Sequence, residues 1–221
     1  MKNWFKENRG FVVFLICFGF FRTAIADWNP IPSGSMRPTL LEGDVVLVNR
    51  LAYDFKLPLT DIAVLRIANP ARGDIVTFAS PKDGTRLIKR VVALPGDTVE
   101  MRDEALIING EAAVYDAPEA LAEPDGQGGQ LRALRLTETV AQATRRIQWL
   151  AGVPARNSFA PLTVPAGQYL MLGDNRDNSG DSRYFGLVPR QLLIGQAHRV
   201  LVSADILGNW APRFERFGQS L

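Results

Sequence analysis

Apolar positions follow two regimes along this chain. From 10 to 21 they are unbroken (GFVVFLICFGFF), whereas beyond residue 40 they come in short alternating or β-branched runs bounded by Gly, Pro, Asn and Asp. The short runs occupy 44–48, 74–78, 87–94, 106–108, 168–172 and 194–202. Runs of that length with such borders predict strands. Asn109-Gly110, directly after the 106–108 run, predicts a two-residue hairpin turn. Gly43-Asp44, Gly73-Asp74 and Gly96-Asp97 each precede or border a run. Gly tolerates positive φ and Asp bonds its own backbone, so these dipeptides read as turns feeding strands, with no internal repeat implied. A mainly β, antiparallel protein is the expectation.

The unbroken run is about 12 residues, the length of a core helix or of the apolar part of a signal peptide. Continuing past Arg22 to Ala26 gives roughly 25 Å of helix, which nearly spans a bilayer if Arg22 snorkels to the far interface. Ala24-Ile25-Ala26 also fits a small-residue cleavage site, so a removed secretory signal competes with a retained anchor. A buried core helix is the third reading. Lys2, Lys6 and Arg9 against Glu7 place the basic end in the cytoplasm under either leading reading, with 28–221 outside it. The pattern alone does not separate anchor from signal. Cys17, inside the run, reads as a packing residue.

Between 102 and 165 the composition loosens around Pro118, Pro124, Gly126, Gly128 and Gly129. The following stretch is ambiguous: 134–137 and 146–149 alternate like strands, while 138–146 tolerates a helix. A β-rich insertion is expected there.

The composition then excludes several chemistries. The chain has 221 residues, enough for one domain with an insertion. Its 25 Lys+Arg against 23 Asp+Glu is too balanced for a protein that lives on a phosphate backbone. One Cys excludes an intrachain disulfide and thiolate-clustered metal sites. One His, His198, excludes His-pair metal motifs and leaves room for a single His-based triad. A hydrolase built from this sequence would use a base other than His.

Three segments carry candidate chemistry. Residues 30–38 (PIPSGSMRP) set two serines around a Gly between prolines, which lets a Ser amide and hydroxyl face one point. Residues 86–94 (RLIKRVVAL) put Lys89 on the same strand face as Leu87, Val91 and Ala93. A lysine works as a base only if burial brings its pKa down by about 2.4 units, roughly 3 kcal/mol. Residues 173–186 (GDNRDNSGDSRYFG) look like a calcium loop, but no register supplies the closing Glu. What remains is a polar loop able to hold a catalytic group rigidly.

Taken together, PSGSM (32–36), PTLLEGD (38–44), GDIVTF (73–78), LIKRVVALPGD (87–97) and GDNRDNSGDSRYFG (173–186) resemble bacterial type I signal peptidases in order and spacing. These are membrane-anchored Ser/Lys endopeptidases. The likeness continues through the C-terminal ILGNWAPRFERFG and misses mainly the 102–165 stretch. The resemblance implies Ser35 as nucleophile and neutral Lys89 as general base. It implies an oxyanion hole made by the Ser35 amide and the Ser33 hydroxyl. Ser179 would hydrogen-bond the lysine, and Asp181 with Arg183 would brace the loop. Ile31, Met36, Leu40, Ile88 and Met171 would wall shallow apolar pockets for small side chains, typically Ala at the first and third positions before the cut. Asn29 and Pro30 depart from the residues common just before this motif, which bears on the shape of those pockets.

The resemblance also implies an organisation: a cytoplasmic 1–9, a retained transmembrane anchor at 10–27, a catalytic core of 28–101 and 166–221, and an inserted β-rich subdomain at 102–165. The expected setting is the bacterial plasma membrane, with the catalytic domain on the extracytoplasmic face. Expected partners are preproteins and membrane lipid, without nucleic acid. No metal or other cofactor is expected, and the chain is expected to be monomeric. Trp210, Phe214 and Phe217 would either dip into the interface or form a packed cluster. Two rival readings remain: a Ser/Lys membrane peptidase maturing one substrate of conjugation or pilin type, and an anchored β-rich binding module without activity.

Overall fold

All six short apolar runs form strands in the computed structural model, which describes residues 4, 7–60, 62–124 and 129–221. They are Asp44–Asn49, Ile75–Ala79, Arg86–Ala93, Ala105–Ile108, Gln168–Leu172 and Leu193–Ser203. Five of them join Ala26–Pro30 and Val188–Pro189 in a seven-stranded antiparallel sheet. Its order runs Ala26–Pro30, Asp44–Asn49, Leu193–Ser203, Ile75–Ala79, Arg86–Ala93, Gln168–Leu172, Val188–Pro189. Along Asp44–Asn49 burial alternates, and Val46 and Val48 turn into a core shared with Ile31, Met36, Leu40 and Ile75. Arg86–Ala93 is different. Its last five residues are all buried, so both faces of this strand are covered and charged side chains on it are kept from water.

Thr98–Arg102, Ala105–Ile108, Glu111–Ala112 and Phe159–Thr163 form a second sheet. The predicted Asn109-Gly110 turn closes one of its hairpins, with Ile108 opposite Glu111 and both turn residues at positive φ (53° and 81°). This sheet shares a core with the main one: Val99, Met101, Leu106 and Ile108 pack with Val92, Ala93, Leu170 and Leu172. A third sheet holds Val114–Pro124, Gln130–Val140 and Ala143–Leu150. The stretch whose pattern tolerates a helix is therefore a hairpin, turning at Ala141 and Gln142 with φ of 47° and 63°. The reason is electrostatic. Cross-strand pairing sets Glu138 opposite Arg145, and Arg176 from the 173–186 loop closes on the same carboxylate at 2.6 Å and 2.7 Å. Burial alone would raise the Glu138 carboxyl, but the Arg176 and Arg145 guanidiniums overcome it and hold it at about 2. The loosened segment around Pro118 is also a strand, with its register broken between Asp116 and Glu119 where the proline cannot donate. Gly126 and Gly128 lie outside the described residues.

The N-terminal segment is shorter than the expected 10–27 span. An α-helix covers Arg9–Phe20, a π-helical stretch follows at Phe21–Ile25, and the chain enters the main sheet at Ala26. The sheet captures it early because Ala26–Pro30 pairs with Asp44–Asn49 and Asp27 accepts from Arg86 at 2.9 Å. The helical part is about 25 Å long, against about 30 Å of hydrocarbon. Among the described residues no helix is long and apolar enough to cross a membrane. The Arg9–Phe20 helix nonetheless buries none of its residues against the protein, and Phe11, Phe14, Ile16 and Phe18 are exposed. Lys2 and Lys6, the charges expected to orient it, lie outside the described residues.

The Glu138 cluster makes a stability prediction. Glu138→Gln leaves two buried guanidiniums facing a neutral amide, and the expected cost is about 3–5 kcal/mol. It should appear as a lowered midpoint of urea unfolding, read by the fluorescence of Trp149, which lies on the hairpin strand next to this cluster. Because the folded-state pKa is depressed, the wild-type contribution is present above pH 4.5 and fades as pH falls toward about 2. An unchanged midpoint for the variant would contradict the assignment.

Candidate active site

The three chemistry-bearing segments converge on the middle of the main sheet. Ser33 is extended (φ −137°, ψ 153°) and leads into a single 3-10 turn at Gly34–Met36, after which Arg37 is extended again. Prolines 30, 32 and 38 restrict the chain on both sides. The turn aims Ser35 at the Arg86–Ala93 strand, where Lys89 Nζ lies 2.6 Å from Ser35 Oγ. Both are buried, with 9% and 3% of their surface exposed. Val76, itself fully buried, sits directly opposite Lys89 in the neighbouring strand.

That burial decides the chemistry of the amine. Removal from water lowers the Lys89 pKa, the negative charges of Asp181 and Asp174 work against it, and the outcome is a pKa of about 8. At pH 7 roughly one amine in ten is then neutral, where an ordinary lysine would offer well under one in a thousand. A neutral amine carries a lone pair toward which the Ser35 hydroxyl can donate. An ammonium in the same place can only donate to the oxygen.

The 173–186 loop holds this pair from behind. Asn175 donates its amide N–H to the Ser35 carbonyl at 3.2 Å and its side-chain Nδ2 to the Gly34 carbonyl at 3.0 Å. Asp174 receives both Nε and Nη2 of Arg90 (2.8 Å and 2.6 Å) and the Thr39 hydroxyl. Asp181 caps the short Ser182–Phe185 helix, accepts from the Gly173 amide at 3.1 Å and pairs with Arg183 at 2.8 Å. Asp181 and Arg183 thus form a two-pronged ion pair inside the loop. Ser179 is buried, and its Oγ has no hydrogen-bond partner among the described residues, Lys89 included. It packs beside Gly173, which also lies against the Ser35 carbonyl.

Ser33 is exposed and its hydroxyl makes no capping bond to the turn that follows. A cavity of about 250 Å³ runs alongside, lined by residues 29–32, Thr77 and 86–88. Its lining stops one residue short of Lys89 and does not include Ser35. Of the expected pocket residues, Ile31 and Ile88 line it. Met36, Leu40 and Met171 are fully buried beneath, the first two in the core with Ile31 and the last with Val76 and Val91. His198 is exposed on the Leu193–Ser203 strand and takes no part.

Several contributors escape a reading of the sequence. The Arg90–Asp174 pair joins residues 84 apart, and nothing local marks Arg90 as more than a charged neighbour of Lys89. Arg37 bonds Glu42 at 2.8 Å and also reaches Glu123 in the third sheet. Gln148, in that same sheet, makes a backbone bridge to Asn175. Only the density of Asp and Asn in 173–186 signals a holding loop; its individual partners are set by topology.

The family model described as "Signal peptidase, peptidase S26" matches residues 1–202. A signal peptidase I of Pseudomonas aeruginosa is 38% identical over 210 residues, covering 89% of this chain and 72% of that protein. One of Buchnera aphidicola subsp. Schizaphis graminum is 32% identical over 246 residues, covering 94% and 77%. A solved structure of a signal peptidase I from Enterococcus faecalis shares 36% identity and covers 59% of this chain and 97% of its own, with a TM-score of 0.35.

The tightest steric constraint at the site is Gly173, where an added Cβ would run into Ser179 Oγ and the Ser35 carbonyl. Gly173→Ala should therefore destabilise the fold by about 1–3 kcal/mol. Thermal unfolding of the variant checks this, and a melting temperature equal to that of the wild type would contradict the packing.

Proposed function

The chain belongs to the signal peptidase I family, peptidase S26, serine endopeptidases that remove signal peptides, and on that premise we propose that Ser35 and Lys89 are its catalytic dyad. The observation that carries this reading is the buried 2.6 Å contact between Lys89 Nζ and Ser35 Oγ. In the acylation step the Ser35 hydroxyl gives its proton to neutral Lys89 as Oγ forms a bond to the scissile carbonyl carbon. The carbonyl oxygen becomes an oxyanion, stabilised by the Ser35 amide and the Ser33 hydroxyl. Collapse of this intermediate breaks the C–N bond, and the Lys89 ammonium protonates the departing amine. Lys89, neutral again, takes a proton from water, whose oxygen attacks the Ser35 ester. Breakage of that ester returns the Ser35 hydroxyl and frees the signal peptide with a new carboxylate. Ser179 is the hydrogen-bonding residue that reaches Lys89 when substrate orders the site, and Asp181 with Arg183 keeps Ser179 in range.

Substrate preproteins lie extended along 29–32, with small side chains in the cavity beside Ile31 and Ile88. Selection there is by the shape of the walls, with Ile31 and Ile88 closing on the side chain. Since one Ala gains little binding energy, the extended backbone supplies most of the affinity. The functional core is 28–101 with 166–221, and 102–165 is the insertion that braces it. Family members are typically membrane-anchored. The uncovered apolar helix is the matching element here, with the catalytic domain on the extracytoplasmic side.

Purified Ser35→Ala and Lys89→Ala proteins are expected to leave a preprotein with an Ala-x-Ala site uncut. Lys89→Arg should be equally inactive, because a guanidinium stays protonated. Wild-type-like cleavage by any of the three sinks the dyad. Activity also carries a pH signature. The active form is the deprotonated one, so kcat/KM should rise with pH, reach half its limit near the Lys89 pKa of about 8 and level off above it. A profile already flat from pH 6 upward would show that no group of that pKa limits the reaction.

A further inference from the structure

The cavity lined by 29–32 and 86–88 has one wall that is poor in backbone donors. Pro30 and Pro32 carry no N–H, and the Ile31 amide is spent on the Asp44 carbonyl at 2.8 Å. The opposite wall, 86–88, pairs with 77–79 on one side, while Gln168–Leu172 takes up only 90–93 on the other. One edge of 86–88 is therefore without a strand partner among the described residues. An extended chain laid along it finds main-chain partners on that wall alone, and from the other wall it can be met only by side chains.

Those side chains are Asn29 and Arg86, the lining residues furthest in sequence from Ser35 and Lys89. Arg86 Nη1 donates to Asn29 Oδ1 at 2.9 Å, which fixes the amide so that Nδ2 is the group left over. Nδ2 is buried and has no hydrogen-bond partner among the described residues. A buried donor without a partner is costly to the fold and calls for an acceptor. Arg86 uses the same Nη1 on Asp27 at 2.9 Å, so both of its bonds leave from one nitrogen, and its side chain is 47% exposed. Asp27 also holds Arg22, at 3.4 Å. Two guanidiniums on one carboxylate leave a positive charge over. Lys82 and Asp83, in the turn that leads into Arg86, cancel one another. Two kinds of donor with a surplus positive charge suit a carboxylate.

Strand spacing gives its position. At about 3.3 Å per residue, Arg86 lies about 10 Å before Lys89. Arg86 and Ile88 share a face of their strand. Small side chains seated beside Ile88 put the first, third and fifth residues before the cut on that same face. The third has to be small, so the fifth is the first that can carry a long side chain. Arg86 would be its diagonal neighbour, about 7–8 Å away and within reach of a long side chain.

We propose that Arg86 and Asn29 form an upstream subsite that selects an aspartate or glutamate at the fifth position before the cut. This rests on the Ser35–Lys89 dyad and on the placing of substrate beside Ile31 and Ile88. A small side chain gains little in a shallow pocket, so many peptide bonds in an extended segment would fit it almost equally. A charged contact upstream fixes the register of that segment and with it the bond presented to Ser35.

The test gives the full chain, in detergent micelles, a set of preproteins that share one Ala-x-Ala site. Glu is placed in turn at the second, fourth, fifth and sixth positions before the cut, and Gln, Lys or Ala at the fifth. The highest kcat/KM is expected for Glu at the fifth position, about fivefold above Gln there, with Lys lowest. High salt should flatten this order. Arg86→Gln should bring the Glu, Gln and Lys substrates together, and Arg86→Glu should reverse the order in favour of Lys, a swap that a purely structural role cannot produce. Asn29→Asp, which exchanges the donor for a second carboxylate, should shrink the preference for Glu. Equal kcat/KM for the three fifth-position substrates refutes the subsite and leaves the dyad standing. A preference for Glu that survives Arg86→Glu, or that peaks at an even position, belongs to another group and overturns the proposal. Failure to cut any of the substrates refutes the peptidase reading and the subsite with it.

Discussion

The site depends on keeping one amine dry. Lys89 reaches Ser35 from a strand covered on both faces, and its pKa of about 8 comes from lost hydration. The depression from 10.5 costs the folded state about 3 kcal/mol. Since the folded protein binds this proton less tightly than the unfolded chain, the cost is felt in full below pH 8 and disappears as pH rises past 10.5. The fold therefore gives up stability in the physiological range to keep this amine partly neutral. The rest of the architecture around the site can be understood as the means of holding that position.

The carboxylates near Lys89 pose the main threat to it. Asp174 and Asp181 both favour the ammonium, and an unpaired carboxylate in such surroundings would trap the proton. Each is occupied by its own guanidinium: Arg90 grips Asp174 with two nitrogens, and Arg183 grips Asp181 in the same manner. A planar fork is suited to this work because it saturates both carboxylate oxygens at once. Arg90 and Lys89 are sequence neighbours with opposed duties. Strand alternation sends one toward Ser35 and the other toward the loop that holds Ser35 in place.

What the sequence discloses and what it hides follow from the range of the interactions. The six strands are legible because period-two patterning and Gly or Asn-Gly borders act over a few residues. Ser35 and Lys89 stand out through the family likeness, because a Pro-Ser-Gly cluster by itself is more often a linker and a strand lysine more often leans into solvent. The 138–146 hairpin is not legible, since its conformation is set by Arg176 from a distant loop closing on Glu138. The end of the N-terminal helix is hidden for the same reason: Ala26 leaves the helix because Asp44–Asn49 offers it a strand partner. The residues expected as pocket walls divide by depth. Ile31 and Ile88 line the cavity, while Met36, Leu40 and Met171 lie one layer below, a distinction that alternation alone does not make.

The 102–165 stretch, expected from its sequence as a β-rich insertion, is tied to the 173–186 loop and to Arg37 by three links. Gln148 donates its backbone N–H to the Asp174 carbonyl and accepts from the Arg176 amide, adding the hairpin strand to the edge of the loop. Leu150 donates to the Asp177 carboxylate at 2.6 Å. Glu123 receives Arg37, two residues beyond Ser35, together with Arg135. The loop these links hold has little regular structure of its own, only a four-residue helix at Ser182–Phe185. A polar loop without its own ladder keeps its shape only if other elements satisfy its backbone groups. The third sheet does so on one side while Gly34 and Ser35 do so on the other through Asn175. The loop is thus a wedge between the third sheet and the turn bearing Ser35. Any force that loosens the insertion is transmitted through Asn175 to the turn bearing Ser35, and from there to its distance from Lys89.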